Sequence, residues 1–210
     1  MDIAIVGVGN VGGALASAWH GAGHRIRLGV RDPGDPKHKA IVAAANATAL
    51  SPPDATASAD VVVLSLPWRV AEAAVRSLGN LRGKIVIDCM NPLAMRDGVL
   101  GLAMGFDTSG GEMVARWLPE ARVVKTLNQV GAETMAAARR FPHPPAMLMA
   151  GDESAAKDVV AGLLTDIGFE PMDAGGIRNA RLLEPFGLAW ITLARSGRGR
   201  DWAFAAVSPA

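Results

Sequence analysis

Short apolar runs alternate along this chain with longer segments whose apolar residues recur at helical spacing. The runs are typical of buried strands, and the longer segments predict helices between them. The predicted strands cover residues 3–6, 26–30, 48–50, 61–66, 84–88, 122–127, 146–150 and 169–173. The predicted helices follow residue 10, open at residue 68, and cover residues 40–47, 112–118, 153–167 and 177–195. This order predicts an α/β fold of the Rossmann type, with a doubly wound and mainly parallel sheet.

The same pattern suggests how the chain is organised into parts. We expect residues 1–175 to form a nucleotide-binding domain and residues 176–210 to form a small C-terminal helical extension of the same compact unit. Three stretches are predicted to be connections. They are the Pro, Ser and Ala-rich residues 51–59, the glycine-rich residues 98–110, and the proline-rich residues 141–145.

The first predicted strand runs directly into Gly7, Gly9 and Gly12, which have the spacing G-x-G-x-x-G. The first glycine permits a tight turn, the second lets a pyrophosphate approach bare backbone, and the third lets the next helix pack closely. That helix offers its first N–H groups and the positive end of its dipole to phosphates. A second strand then completes the strand, turn, helix, strand unit that the motif requires, so the sequence predicts a dinucleotide site.

The tip of the second strand bears on which dinucleotide binds. An acidic side chain there contacts the ribose of NAD, whereas an arginine accommodates the 2'-phosphate of NADP. Val30 ends the apolar run, so Arg31 is the first residue free to turn over the adenosine ribose. Asp32 is the competing NAD-type carboxylate. We favour Arg31 and therefore predict NADP(H).

Ligands of open α/β sheets bind outside the carboxyl ends of the strands. Leu66, Pro67 and Trp68 end one predicted strand, and Asn91 and Pro92 follow the next. We expect these residues to lie around the nicotinamide. Trp68 has the alternative role of a packing residue, and Asn91 that of a turn former before proline.

Composition excludes several classes of function. The chain has 21 Lys and Arg against 20 Asp and Glu, a formal net charge of +1, so we expect neither nucleic acid nor a membrane as partner. Its single cysteine, Cys89, excludes an intramolecular disulfide and a cysteine-built metal site. No cationic segment precedes the first strand, and the longest apolar stretch near the end is too short to span a bilayer. A cytoplasmic protein is expected.

No set of side chains has the pattern of a nucleophile with its base, of paired carboxylates or of metal ligands. We therefore predict no catalytic side chain and no metal. Hydride transfer between two redox cofactors needs aligned rings more than a protein acid or base. Reduction of a small carbonyl or imine compound would need a proton donor, for which Lys125 and His143 are candidates. A non-catalytic NADP-binding redox module is a third hypothesis.

Several segments, in their order along the chain, resemble the NADP-dependent oxidoreductases that use the deazaflavin coenzyme F420. The resemblance covers nearly the whole chain and implies a homodimer in which a hydride passes between nicotinamide C4 and deazaflavin C5. Known members have threonine in place of Val8 and serine in place of Val30, so Arg31 would hold the 2'-phosphate with less help. The segments include Gly9–Gly12, Val30-Arg31, Leu64–Trp68, Asn91–Leu93 and Ala180–Glu184. The nucleotide contacts that the resemblance implies are Val8, Gly9, Asn10, Val11, Arg31, Leu66 and Trp68.

Two questions about the second redox partner stay open in the sequence. A flavin-like acceptor could replace the deazaflavin. Arg195, Arg198 and Arg200 lie among glycines and could pair with acidic groups of that cofactor, or form a solvated turn.

The apolar residues of the last helix, Phe186, Leu188, Trp190 and Ile191, would cover either a partner subunit or the chain's own core.

Overall fold

The computed structural model describes residues 1–209, which form a central sheet with helices on both faces. The strands are β1 (Asp2–Val6), β2 (Arg25–Gly29), β3 (Thr48–Leu50), β4 (Val61–Leu64), β5 (Ile85–Asp88), β6 (Leu93–Arg96), β7 (Val99–Leu102), β8 (Arg122–Lys125), β9 (Ala146–Gly151) and β10 (Glu170–Asp173). The helices are α1 (Asn10–Gly21), α2 (Lys39–Ala44), α3 (Pro52–Ala57), α4 (Trp68–Arg76), α5 (Gly110–Trp117), α6 (Ala132–Ala137), α7 (Ser154–Asp166) and α8 (Ala180–Leu193).

Eight strands form one sheet in the order β10-β9-β8-β5-β4-β1-β2-β3, and β6 and β7 form a separate hairpin. Strands β3, β2, β1, β4, β5 and β8 run parallel, whereas β9 pairs antiparallel to β8 through Val124 and Gly151. The chain winds outward in both directions from the neighbours β1 and β4. The topological switch point therefore lies beside the glycine-rich turn, and the predicted doubly wound, mainly parallel fold is confirmed.

The two faces of the sheet are covered by different helices, each with its own apolar core. One core joins the sheet to α1, α6 and α7, and the indole Nε1 of the fully buried Trp19 donates to the Leu163 carbonyl at 2.9 Å. The other core joins the sheet to α3, α4 and α5 through residues such as Ala55, Val75 and Val114. Continuous apolar strands such as β4 are buried on both faces for this reason.

Two predicted connections contain secondary structure instead. Residues 51–59 include α3, and Ser51 and Asp54 provide the reason: the Ser51 hydroxyl accepts from the Asp54 N–H and donates to its carboxylate at 2.5 Å. Ser51 is therefore the N-cap of α3, and the prolines after it suit the first helical turn. The glycine-rich residues 98–110 were wrongly predicted as a loop throughout, since β7 and the first residue of α5 lie within them.

The β6–β7 hairpin has a physical explanation in the dipeptide at its tip. Asp97 and Gly98 have φ of +50° and +76°, the left-handed conformations that a two-residue type I' turn requires. The last predicted helix is also corrected. It begins with a 3-10 turn at Ile177–Asn179, continues as α8, and ends in a π-type turn at Ala194–Arg198. Helix α6 was not predicted.

Candidate functional site

The turn between β1 and α1 has the geometry of a phosphate-binding loop. Gly7 lies at φ +96°, and a Cβ there would come within 2.6 Å of the Ser65 carbonyl oxygen. A Cβ on Gly12 would overlap the Gly7 carbonyl oxygen, whereas one on Gly9 would meet no atom within 4 Å. No side chain caps α1, so its first N–H groups remain available to an anion. The residues present therefore fit a pyrophosphate lying against Gly9.

Ser65 reinforces the same turn from β4. Its hydroxyl donates to the Gly7 carbonyl at 2.6 Å, which gives this hydroxyl a structural role at the strand end. Around the turn, Val8 and Val11 are partly buried and pack against the core, while Gly9 and Asn10 are exposed. The structure therefore brings all six predicted loop residues, 7 through 12, to the carboxyl edge of β1.

The tip of β2 distinguishes the two candidate nucleotide contacts. Val30 continues the strand because its N–H donates to the Leu50 carbonyl at 2.9 Å, and its side chain is buried. Arg31 is exposed and forms no ion pair with any residue in 1–209. The Asp32 carboxylate instead accepts from the Gly34 N–H at 3.0 Å. Of these two candidates, Asp32 thus has a hydrogen-bond partner among residues 1–209, whereas Arg31 has no ion-pair partner there.

The residues after β4 lie across the switch point from the glycine-rich turn. Leu66 is partly buried, Pro67 is exposed, and the Leu66 side chain contacts the position a Gly7 Cβ would occupy. The Trp68 ring stacks on Trp117 with 5.4 Å between ring centroids and packs against Gly110 of α5. These contacts give Trp68 a packing role between α4 and α5.

Asn91 forms a reciprocal amide pair with a residue that sequence reasoning left out, Asn128. Asn91 Nδ2 donates to the Asn128 carbonyl at 2.8 Å, and Asn128 Nδ2 donates to Asn91 Oδ1 at 2.9 Å. Gly187 of α8 packs against both amides, because a Cβ there would lie 2.6 Å from the Asn128 carbonyl oxygen. Asn128 follows β8 as Asn91 follows β5, so the strand-end argument that selected Asn91 could also have selected Asn128.

Lys125, a candidate proton donor, lies beneath this pair and is fully buried. Its Nζ lies 3.0 Å from a carboxylate oxygen of Asp88 and 3.0 Å from one of Glu184, and it donates to the Met90 carbonyl. Burial alone would lower the pKa of this ammonium, but the two carboxylates outweigh it and the pKa is raised. A charged lysine without solvent contact has no route to a substrate, so the structure contradicts Lys125 as a proton donor.

Residues 199–204 fold back over the apolar face of α8. Trp202 stacks on Trp190 with 5.6 Å between centroids, and Phe204 lies 4.8 Å from Phe186. The Phe204 carbonyl also accepts from Ala146 at the start of β9. The apolar face of α8 is therefore covered largely by the chain itself.

The three arginines of this end of the chain have different surroundings. Arg198 lies over the Trp202 ring at 4.7 Å, and Arg200 pairs with Glu133 at 2.8 Å. Arg195 is exposed. Two of the three cations are thus engaged within the chain.

Other reactive side chains are placed away from this edge or are inert. His24 lies between Asp166, at 3.0 Å, and the N-terminal amine, while His143 is exposed in the proline-rich loop. Burial first, and then Asp88, raises the pKa of the Cys89 thiol. Within residues 1–209, no cluster of three His, Cys, Asp or Glu side chains is placed to hold a metal ion. No helix in the same range is long and apolar enough to cross a membrane.

The fold and the glycine-rich turn define a dinucleotide-binding α/β protein of the doubly wound class. A family model described as coenzyme F420-dependent NADP oxidoreductase matches residues 2–92. The F420-dependent NADP reductase of Methanothermobacter thermautotrophicus is 31% identical over 221 positions, which cover 96% of this chain and 92% of that protein. The reductase of the same name from Methanocaldococcus jannaschii is 33% identical over 62% of this chain and 60% of its own length.

A solved structure agrees with these relatives. A provisionally named F420-dependent NADP reductase from Arthrobacter sp. FB24 superposes with a TM-score of 0.90 at 31% identity, covering 99% of this chain and all of that one. The chain belongs to the family of coenzyme F420-dependent NADP oxidoreductases. The predicted enzyme class, an NADP-dependent oxidoreductase, is confirmed, and the predicted cofactors, NADP(H) and coenzyme F420, are those for which this family is named.

Proposed function

We propose that this protein transfers a hydride between NADP(H) and the deazaflavin coenzyme F420. When bound, NADPH supplies a hydride from nicotinamide C4, and the oxidised deazaflavin takes it up at C5 with a solvent proton completing the balance. The chain's contribution is to bind and align the two rings, since hydride transfer of this kind requires no acid or base from the protein. The observation that carries the proposal is the uncapped, open turn at Gly9 in a chain that belongs to this family.

The nucleotide would lie along the carboxyl edge of β1, β4 and β5. The N–H groups of Asn10, Val11 and Gly12 would hold the pyrophosphate, and the exposed guanidinium of Arg31 would pair with the 2'-phosphate. The segment Leu66–Trp68 and Asn91 would border the nicotinamide half of the crevice. The unpaired state of Arg31 and the engaged carboxylate of Asp32 support NADP over NAD.

A direct assay tests this function. Purified protein is mixed with NADPH or NADH, with and without oxidised coenzyme F420, while the absorbance of both cofactors is followed at once. We expect rapid reduction of F420 by NADPH and much slower reduction by NADH. Tight NADPH binding without reduction of F420 would refute the proposed acceptor, and flavin in the same assay would then test the flavin-like alternative.

The assembly and location stay predictions. A homodimer is supported by four exposed apolar side chains around the β6–β7 hairpin and the start of α8, namely Met95, Val99, Phe106 and Leu182. Phe186 and Trp190, from which partner contact was first expected, are covered by Phe204 and Trp202 instead. Light scattering of the purified protein would test the dimer, and cell fractionation would test the cytoplasmic location.

A further inference from the structure

Three charged side chains form a buried cluster beneath the candidate site, which we call the ionic layer. It consists of Asp88 at the end of β5, Lys125 at the end of β8 and Glu184 on α8. Their side chains are 0%, 0% and 1% exposed. Glu184 also accepts from the N–H groups of Gly110 and Gly111 at 3.0 Å each, so it caps α5 as well as pairing with Lys125. The layer thus joins two strand ends and two helices.

A second layer lies three residues further along each of the same segments. Asn91 follows Asp88, Asn128 follows Lys125, and Gly187 follows Glu184, each by three positions. This amide layer consists of the reciprocal Asn91–Asn128 pair with Gly187 packed against it. Asn128 Nδ2 also donates to the Leu183 carbonyl at 3.0 Å, which ties the amide layer to α8. The members of the two layers therefore alternate along the same three segments.

The ionic layer controls the backbone that connects the two layers. Asp88 accepts from the Met90 N–H at 2.9 Å, and Lys125 donates to the Met90 carbonyl, so both polar groups of Met90 are held. On the other segment Leu127 has φ +57°, an unfavourable conformation for a residue with a Cβ. Such a conformation persists only where the surrounding contacts impose it. The position of Asn91, which follows Met90 directly, thus depends on the ionic layer.

We propose that Lys125 is a positioning residue for hydride transfer, which acts through the Met90 peptide to fix Asn91 beside the nicotinamide half of the crevice. This inference rests on the proposed function, because it assigns Asn91 to that half. Lys125 itself touches no ligand, since it has no exposed surface. The pairing of β5 with β8 ends at Asp88 and Lys125, and the Lys125 ammonium extends the link between the two segments to the Met90 carbonyl.

The test uses a double variant that removes Lys125 together with one of its two carboxylate partners, so that one buried carboxylate is left without a cation instead of two. Lys125→Met with Glu184→Gln keeps the formal charge of the layer at −1, because one cation and one anion disappear together. Glutamine at 184 can still accept from one of the two α5 N–H groups, and Asp88 can still hold the Met90 N–H. The matched control is Lys84→Met, since Lys84 precedes the opposite end of β5 and its Nζ contacts only the Ala57 and Ala59 carbonyls.

Two binding measurements separate positioning from general damage. The dissociation constant of 2',5'-ADP reports the adenosine half alone, and that of NADP⁺ reports both halves. For the double variant we expect 2',5'-ADP to bind within about twofold of the parent, since its contacts are distant from the layer. Single-turnover hydride transfer should fall roughly tenfold to hundredfold, because small displacements of a reacting group cost that much. The ratio of NADP⁺ affinity to 2',5'-ADP affinity should fall in the double variant. Lys84→Met should leave both dissociation constants and the single-turnover rate unchanged.

Asn91→Ala keeps the test decisive if the double variant does not fold. This variant should reproduce the loss of NADP⁺ advantage with unchanged 2',5'-ADP affinity, because the proposed path ends at Asn91. Parent-like values for Asn91→Ala, or an equal loss of both affinities in the double variant, would overturn the proposal. If the parent protein binds NADP⁺ but never reduces F420, the proposed acceptor fails, while the two dissociation constants still decide the role of Lys125.

Discussion

Gly9 and Gly12 belong to one motif, yet adding a methyl group to each should have opposite consequences. A Cβ on Gly12 would overlap the Gly7 carbonyl oxygen and lie 2.7 Å from Ser65 Oγ, closer than the 3.0 Å below which real Cβ atoms essentially never come. Both obstacles belong to the turn that joins β1 to α1 and to the strand end beside it. Gly12→Ala therefore forces α1 away from the sheet.

The expected cost of Gly12→Ala follows from this displacement. Because the obstacle is backbone, we expect the cost of overpacking to lie at the upper end of its usual range. The free energy of unfolding should therefore fall by about 3 kcal/mol. For a chain of this length that loss corresponds to a fall in Tm of roughly 6–12 °C. Gly9 has φ −86°, which any residue adopts, and a Cβ there meets open space. Gly9→Ala should therefore lower Tm by no more than about 4 °C, since alanine is a poorer N-cap than glycine by up to about 1 kcal/mol.

Gly9→Ala, which should affect stability less than Gly12→Ala, should instead weaken nucleotide binding. The methyl group of Gly9→Ala would occupy the space assigned to the pyrophosphate, so we expect NADP⁺ to bind at least about tenfold more weakly, or about 1.4 kcal/mol. Thermal unfolding and titration calorimetry on the same preparations check both quantities. Parent-like NADP⁺ affinity in Gly9→Ala would refute the assignment of the pyrophosphate to this turn. An unchanged Tm in Gly12→Ala would refute the close-packing argument.

Three further substitutions have expected outcomes. Arg31→Ala should weaken NADP⁺ roughly tenfold to hundredfold and leave NAD⁺ affinity unchanged, because a charge-assisted contact with the 2'-phosphate is lost; equal effects on both would contradict this contact. Hydrogen bonds from Arg181 hold the pKa of Glu112 below its ordinary value of 4.5. The ion pair therefore stabilises the folded protein fully above pH 4.5, and this stabilisation is lost as the pH falls through the lowered pKa. Glu112→Gln should thus cost about 0.5–1 kcal/mol in urea unfolding at pH 7 and little in acid. Gly187→Ala should lower both Tm and the hydride-transfer rate, since the added methyl group would push α8 away from Asn128. A parent-like rate would show that the position of α8 does not affect hydride transfer.

The features predicted correctly are those whose cause lies within a few neighbouring residues. The glycine spacing, the apolar run before it and the helix after it determine the turn between β1 and α1 locally, and Val30 likewise determines where Arg31 emerges from β2. The hairpin and α3 were missed although their causes are also local. The Asp97-Gly98 pair and the Ser51-to-Asp54 spacing are recognised turn and capping signals.

The ionic layer has no comparable local signal. Lys125 and Asp88 are 37 positions apart, and Glu184 lies more than seventy positions from the α5 residues that it caps. Lys125 ends an apolar run, where a charged residue is ordinarily the first exposed one. Only the pairing of β5 with β8 and the return of α8 bring the three charges together. A contact that depends on topology alone cannot be predicted from spacing.

The two halves of the carboxyl edge are therefore stabilised by different physical means. The half around the β1–α1 turn, where we propose that the pyrophosphate binds, depends on backbone conformation and close packing in a turn of six residues, so that a methyl group added at Gly7 or Gly12 meets backbone directly. The other half depends on buried charge, and removing one partner of such a group leaves an uncompensated ion that costs about 3–5 kcal/mol. Lys125→Met alone should consequently lower the stability of the protein, because it leaves two buried carboxylates without their cation. Charge-balanced pairs are required to separate this loss of stability from a role in hydride transfer.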